Sequence, residues 1–160
     1  MESVEEFMRR YIAEHIAEGQ RQQASREMFH RRFHTADCIW GSSPGTLESL
    51  QSEKVESISN SGSKAAVTTR RQLPLSENHY FIRYHLETRG DSWIISEVDV
   101  QCCPCDGKPG NTDCPRCQGT GWMNTNLAIA EIRDKSVKSE TRRGKSRDVN
   151  PPKSYAPARI

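Results

Sequence analysis

The chain lacks long oily runs. Hydrophobic residues make up 34% of its 160 positions, and no stretch of them is long. A helix that crosses a bilayer needs about 20 consecutive apolar residues, so no segment reads as a membrane span. Residues 1–18 are charged and amphipathic, without the continuous apolar core of a secretory leader. Charge of a single sign is missing too. Lys and Arg number 23 against 21 Asp and Glu, a net +2. The small excess sits in one place: residues 134–160 hold 8 Lys/Arg against 3 Asp/Glu, while residues 1–133 hold 15 against 18. Aromatics are scarce at 7%. None forms a platform interleaved with basic residues, as base stacking on single strands requires.

Cysteine is where the chain is rich. The segment Cys102-Cys103-Pro104-Cys105-Asp106-Gly107 is matched by Cys114-Pro115-Arg116-Cys117-Gln118-Gly119. Cys102/Cys105 and Cys114/Cys117 are two Cys-x-x-Cys pairs, and four thiolates in this pattern suit tetrahedral zinc. Two residues between cysteines let the chain turn so that both sulfurs face one point. The glycine after each pair can take a positive φ and aim backbone N–H groups at the sulfurs. Two disulfides or a redox dithiol are the alternatives. Neither suits a doubled pair in a chain without a leader, which points to a reducing, cytoplasmic setting. Four sulfurs fill the coordination shell, so the expected zinc is structural, one per chain. Cys103 is the alternative ligand to Cys102, which keeps the repeated frame. Cys38, beside Ile39 and Trp40, reads as a small buried apolar residue.

Local signals divide the chain. Ser3 and Glu6 form a capping box. Val4, Phe7, Met8, Tyr11, Ile12, His15 and Ile16 then fall on one helical stripe, with Gly19 as the stop. His15 on this stripe reads as a core or rim histidine. A second helix is expected over 21–34 and a short third over 46–51. Strands are expected over 53–60, 64–72, 79–88 and 92–101, with Asn60-Ser61-Gly62 and Arg89-Gly90-Asp91 as turns. On the third strand Tyr80, Ile82, Tyr84 and Leu86 share one face, and Phe81, Arg83, His85 and Glu87 the other. The expected organisation is an α+β domain over 1–101, with N-terminal helices packed on a curved antiparallel sheet. A zinc-knuckle appendage follows over 102–122, a short helix over 123–133, and a flexible basic tail over 134–160.

Two resemblances add to this. Cys114 to Gly121 resembles the Cys-x-x-Cys-x-Gly-x-Gly repeat of the DnaJ-type cysteine-rich domain, whereas Cys102 to Pro109 lacks the last glycine. That family carries four repeats and a His-Pro-Asp motif. This chain has two repeats and no such motif, so chaperone function is not carried over. The order of helices and strands over 3–101, with Tyr80-Phe81-Ile82-Arg83-Tyr84 and Gly90-Asp91-Ser92-Trp93-Ile94-Ile95, resembles the nuclear-transport-factor-2-like superfamily. That resemblance implies a cone of bent sheet around an N-terminal helix. Within the superfamily the chain is most similar to the intracellular immunity proteins that block a bacterial toxin.

Three functions compete. A non-catalytic module would bind a protein partner, with Phe81 and Trp122 as candidate anchors, although Trp122 reads first as packing over the metal. Homodimerisation through the open sheet is compatible with it. A small isomerase or dehydratase, as the superfamily resemblance implies, would need an Asp/His pair from His34, Asp37, His79, His85 and Asp99. Asp99 can point inward from the last strand but shares its face with Glu97, while His85 reads as solvated or charge-paired. A nucleic-acid reader would use the knuckles and Arg142, Arg143, Lys145 and Arg147. The knuckle loop carries only Lys108 against Asp106 and Asp113, which disfavours it. The protein-binding module is the leading reading, and no catalytic residue is assigned.

Overall fold

The computed structural model describes residues 1–20, 26–38, 47–73, 77–102, 105, 107–110 and 112–125. All belong to one compact unit, Met1–Ile129. The basic tail over 134–160 lies outside the described residues, as does most of the expected helix over 123–133.

Three helices come first: α1 (Val4–Gln20), α2 (Arg26–Phe33) and α3 (Leu47–Gln51). Five strands follow: β1 (Lys54–Asn60), β2 (Lys64–Gln72), β3 (His79–Arg89), β4 (Ser92–Gln101) and β5 (Trp122–Asn124). They form one antiparallel sheet in the order β1-β2-β3-β4-β5. The expected α+β class and the first four strands hold. The fifth strand is a correction to the reading of 123–133 as helical, since Met123 and Asn124 pair with Val100 and Asp99.

The capping box opens α1. Glu6 N–H donates to Ser3 Oγ at 3.2 Å, and Ser3 N–H donates to Glu6 Oε2 at 2.9 Å. The stripe then buries Val4, Phe7, Met8, Tyr11 and His15. Gly19 is not the stop. The helix runs past it, and a Cβ there would meet Leu50 Cδ1 at 3.0 Å. Its smallness lets α1 close on α3.

The core lies between the helices and one face of the sheet. Phe33 and Cys38 join Val67, Ile82, Tyr84, Leu86, Ile95 and Val98 there. Cys38 is thus the buried apolar residue expected of it. Alternation on β3 falls as read, with Ile82, Tyr84 and Leu86 buried. On β2 the same face buries Ala65, Val67 and Thr69, and then Arg71. A buried arginine demands a partner. Glu53, just before β1, supplies it: Arg71 Nη2 donates to Glu53 Oε2 at 2.6 Å. Thr69 Oγ1 and Tyr84 Oη each donate to Glu53 Oε1 at 2.7 Å. Three donors on one carboxylate tie the α3–β1 junction to the middle of the sheet.

Candidate metal centre

β4 runs from the core directly into Cys102, and β5 returns from Gly121 to pair with it. Cys102 N–H donates to the Gly121 carbonyl at 2.9 Å, closing the neck of the loop. Within the first knuckle the Cys102 carbonyl accepts from Cys105 and Gly107 N–H. In the second, the Cys114 carbonyl accepts from Gln118 N–H. Gly110 N–H donates to the Gly119 carbonyl at 2.7 Å and stitches the two together. Gly121 has φ +78°, and a Cβ there would stand 2.5 Å from the Gly107 carbonyl oxygen. Only glycine fits that crossing.

The result is a closed cluster. Cys102, Cys105, Cys114 and Cys117 are all buried, and their sulfurs lie within 4.8 Å of one another. Cys102 and Cys114 Sγ are 3.7 Å apart, and Cys105 and Cys117 Sγ are 3.5 Å apart. Sulfurs bound to one tetrahedral zinc at about 2.3 Å stand about 3.8 Å apart. A disulfide needs about 2.05 Å, so the sulfurs are not bonded in pairs and their spacing is compatible with a shared metal ion. The cluster can hold a metal ion such as zinc. Cys103, the alternative ligand, lies outside the described residues.

In the second knuckle the surroundings lower both thiols without any metal. The backbone N–H of Cys117, then that of Arg116, holds the Cys114 thiol down to about 6. Burial works to raise the Cys117 thiol, but the Gly121 N–H, Cys105 and the Gly119 N–H outweigh it. These are the glycine-freed amides that the repeat implies. The first knuckle is the opposite. Burial raises the Cys102 thiol, and the neighbouring Cys114 raises that of Cys105.

Trp122 corrects its expected role. Met123, not Trp122, packs against the cysteines. The Trp122 ring lies over the Arg83 guanidinium, whose carbon is 4.4 Å from the ring centroid. Arg83 sits on the sheet face opposite the core. Its Nε and Nη2 donate to Asp99 Oδ2 at 3.1 and 2.7 Å. His85 Nε2 lies 2.9 Å from the same oxygen. Asn124, on the returning strand, donates its side-chain amide to Glu97 Oε1.

The sequence candidates for an Asp/His pair therefore separate. His85 and Asp99 meet, with His85 Nε2 in hydrogen-bond contact with the carboxylate. Asp99 does not point inward: it faces Arg83 on the outer side of the sheet, because antiparallel partners share a face. Burial opposes its charge, but the hydrogen bonds of His85 and Arg83 hold its carboxyl below the usual range. His79 and Asp37 are exposed, and His34 is buried on the helix side. His85, Glu97 and Asp99 also bring ligand-type atoms within 4.8 Å. Arg83 already pairs with Asp99, and the Asn124 amide bonds Glu97, so the group reads as a hydrogen-bonded ion network. The Glu53 network and the role of Asn124 escaped the sequence. A lone Arg at an inward position of β2 was the one signal for the first.

No protein-family model matches the chain, and no significant match was found among curated proteins or solved structures. Among the described residues no helix is long and apolar enough to cross a membrane.

Proposed function

We propose that the protein is a non-catalytic, zinc-dependent binding module whose partner is another protein. The closed four-sulfur cluster carries this reading. Zinc held by four protein ligands has no position left for water or substrate, so its contribution is to folding. That contribution reaches the sheet. The strand leaving the cluster lays Trp122 on Arg83 and Asn124 on Glu97. Tryptophan and arginine are the residue types that most often anchor protein interfaces. The outer face built on them is the proposed contact surface. The resemblance to immunity proteins of the nuclear-transport-factor-2-like superfamily supports a toxin-type protein as the partner. It also supports a reducing cytoplasmic setting, in which thiolates persist.

Metal analysis and partner binding test this together. One zinc per chain is expected. Binding to a captured and then purified partner should weaken at least about tenfold in Trp122→Ala, as for an interface anchor. It should weaken likewise after zinc is stripped. A metal-free native protein, or equal binding by the stripped protein, would overturn the reading. The second reading is an isomerase-like or dehydratase-like enzyme, favoured by the 2.9 Å His85–Asp99 contact. Turnover that is abolished in His85→Ala while partner binding persists would favour it.

A further inference from the structure

A cleft of about 520 Å³ opens on the helix side, far in sequence from the cysteines. Its walls are the end of α2, the segment after it, and the β3–β4 hairpin. Six residues define its chemistry: His30, Arg31, His34, Thr35, Glu87 and Arg89. The volume is in the range of small-molecule sites, about 300–1,000 Å³.

The deepest of the six is His34. It is only 3% exposed, and neither ring nitrogen has a hydrogen-bond partner among the described residues. Burial, then His30 and His15, push its pKa down to about 3, so the ring is neutral and carries one donor and one acceptor. Buried polar groups of this kind are nearly always satisfied. The backbone holds His34 rigidly. Its N–H donates to the His30 carbonyl at 2.8 Å, and Thr35 N–H donates to the Ile95 carbonyl at 2.9 Å. His30 stacks on it with ring centroids 4.7 Å apart and planes 11° apart. His30 Nε2 donates to the Cys38 carbonyl at 2.5 Å, which fixes that ring as well. Two flat rings and Ile94 thus make an ordered, largely apolar wall.

The lining residues carry a small positive balance, Arg31 and Arg89 against Glu87. Arg89 has no ion pair among the described residues, and Arg31 pairs only with the exposed Glu27. Glu87 is the one carboxylate of the lining. We propose that this cleft binds a small, flat organic anion, its acid group on Arg89 and Arg31 and its body against the His30 ring and the edge of His34 that lines the cleft. The site is independent of the metal cluster and adds a ligand to the binding module proposed above.

Benzoate is the probe, titrated into the full-length zinc-loaded protein while the histidine ring signals are followed by NMR. Benzamide is the neutral match, and inorganic phosphate is the anion without a flat body. Benzoate should shift His30 and His34 together and saturably, and benzamide and phosphate should not. Arg89→Gln, on the exposed turn, should keep the native spectrum and weaken benzoate about tenfold or more, as loss of a charge-assisted contact does. Four results would each overturn the proposal: no saturable shift of His34, equal binding of benzamide, equal binding of phosphate, or an Arg89→Gln variant that binds like the parent.

Discussion

The chain has two interiors of different substance. From Val4 to Val98 the interior is side-chain carbon: Phe7, Tyr11, Phe33, Val67, Ile82 and Ile95 pack between helices and sheet. From Cys102 to Gly121 it is sulfur, with Met123 the apolar residue packed against it. The difference follows from length. About twenty residues of Gly, Pro, Asp and Lys cannot remove enough apolar surface from water to offset the entropy of ordering them. A metal can, because zinc–thiolate bonding is folding energy in such segments, roughly 10–16 kcal/mol apparent. Among the described residues the two interiors are joined through the Cys102–Gly121 hydrogen bond and the β4–β5 pairing.

The largest effect should come from breaking the sulfur interior alone. Cys114→Ser removes the sulfur whose thiolate the backbone favours most. We expect the variant to bind no zinc. Residues 102–125 should lose their amide protection in hydrogen exchange, while β2, β3 and α1 keep theirs. Chelation of the parent protein should do the same. Global unfolding by either route would show that the interiors are not separable.

A smaller effect should come from the carbon interior. Glu53 accepts from Arg71, Thr69 and Tyr84, and the Arg71–Glu53 pair is almost fully buried. Glu53→Gln leaves the Arg71 charge buried without its counterion. Removing one partner of such a pair costs about 3–5 kcal/mol. Urea unfolding should register that loss with zinc content unchanged. A midpoint equal to the parent's would mean that Arg71 finds another acceptor or reaches water.

These two interiors were unequally legible in the sequence. The cysteine spacing located the four-sulfur cluster outright, because the repeated pairs bring the same four residues together. Alternation on β3 and the stripe on α1 located the carbon interior, because burial follows period 2 in strands and 3.6 in helices. What hid was pairwise. Periodicity assigns Arg71 to an inward position but does not name Glu53, eighteen residues earlier. Asp99 faces outward because register pairs it with Arg83, which the residues of β4 taken alone do not show. Trp122 was tied to the metal by proximity along the chain. Its ring instead follows β5 back onto the sheet. Gly19 was read as a helix stop because glycine usually ends helices, and only the position of Leu50 shows its packing use.

Acid sharpens the comparison with the mildest change. His15 and His34 lie in the carbon interior, both almost fully buried. Burial is the main cause that lowers them from 6.5, to about 4 for His15 and about 3 for His34. Arg71 also lowers His15, while Glu53 and Glu18 act the other way. Both rings are therefore neutral in the fold and protonate first in the unfolded chain. Their contribution is complete above about pH 6.5 and is lost as pH falls toward 4 and then 3. Between those limits each should cost about 1.4 kcal/mol per pH unit. Thiolates release zinc over an overlapping range, so the measurement belongs on Cys114→Ser, where the sulfur interior is already gone. Its urea midpoint should fall steeply from pH 6 to pH 4, and His15→Phe should make that slope shallower. A midpoint that stays flat over this range would mean that the buried rings reach water or a partner, and that the carbon interior is less dry than its packing implies.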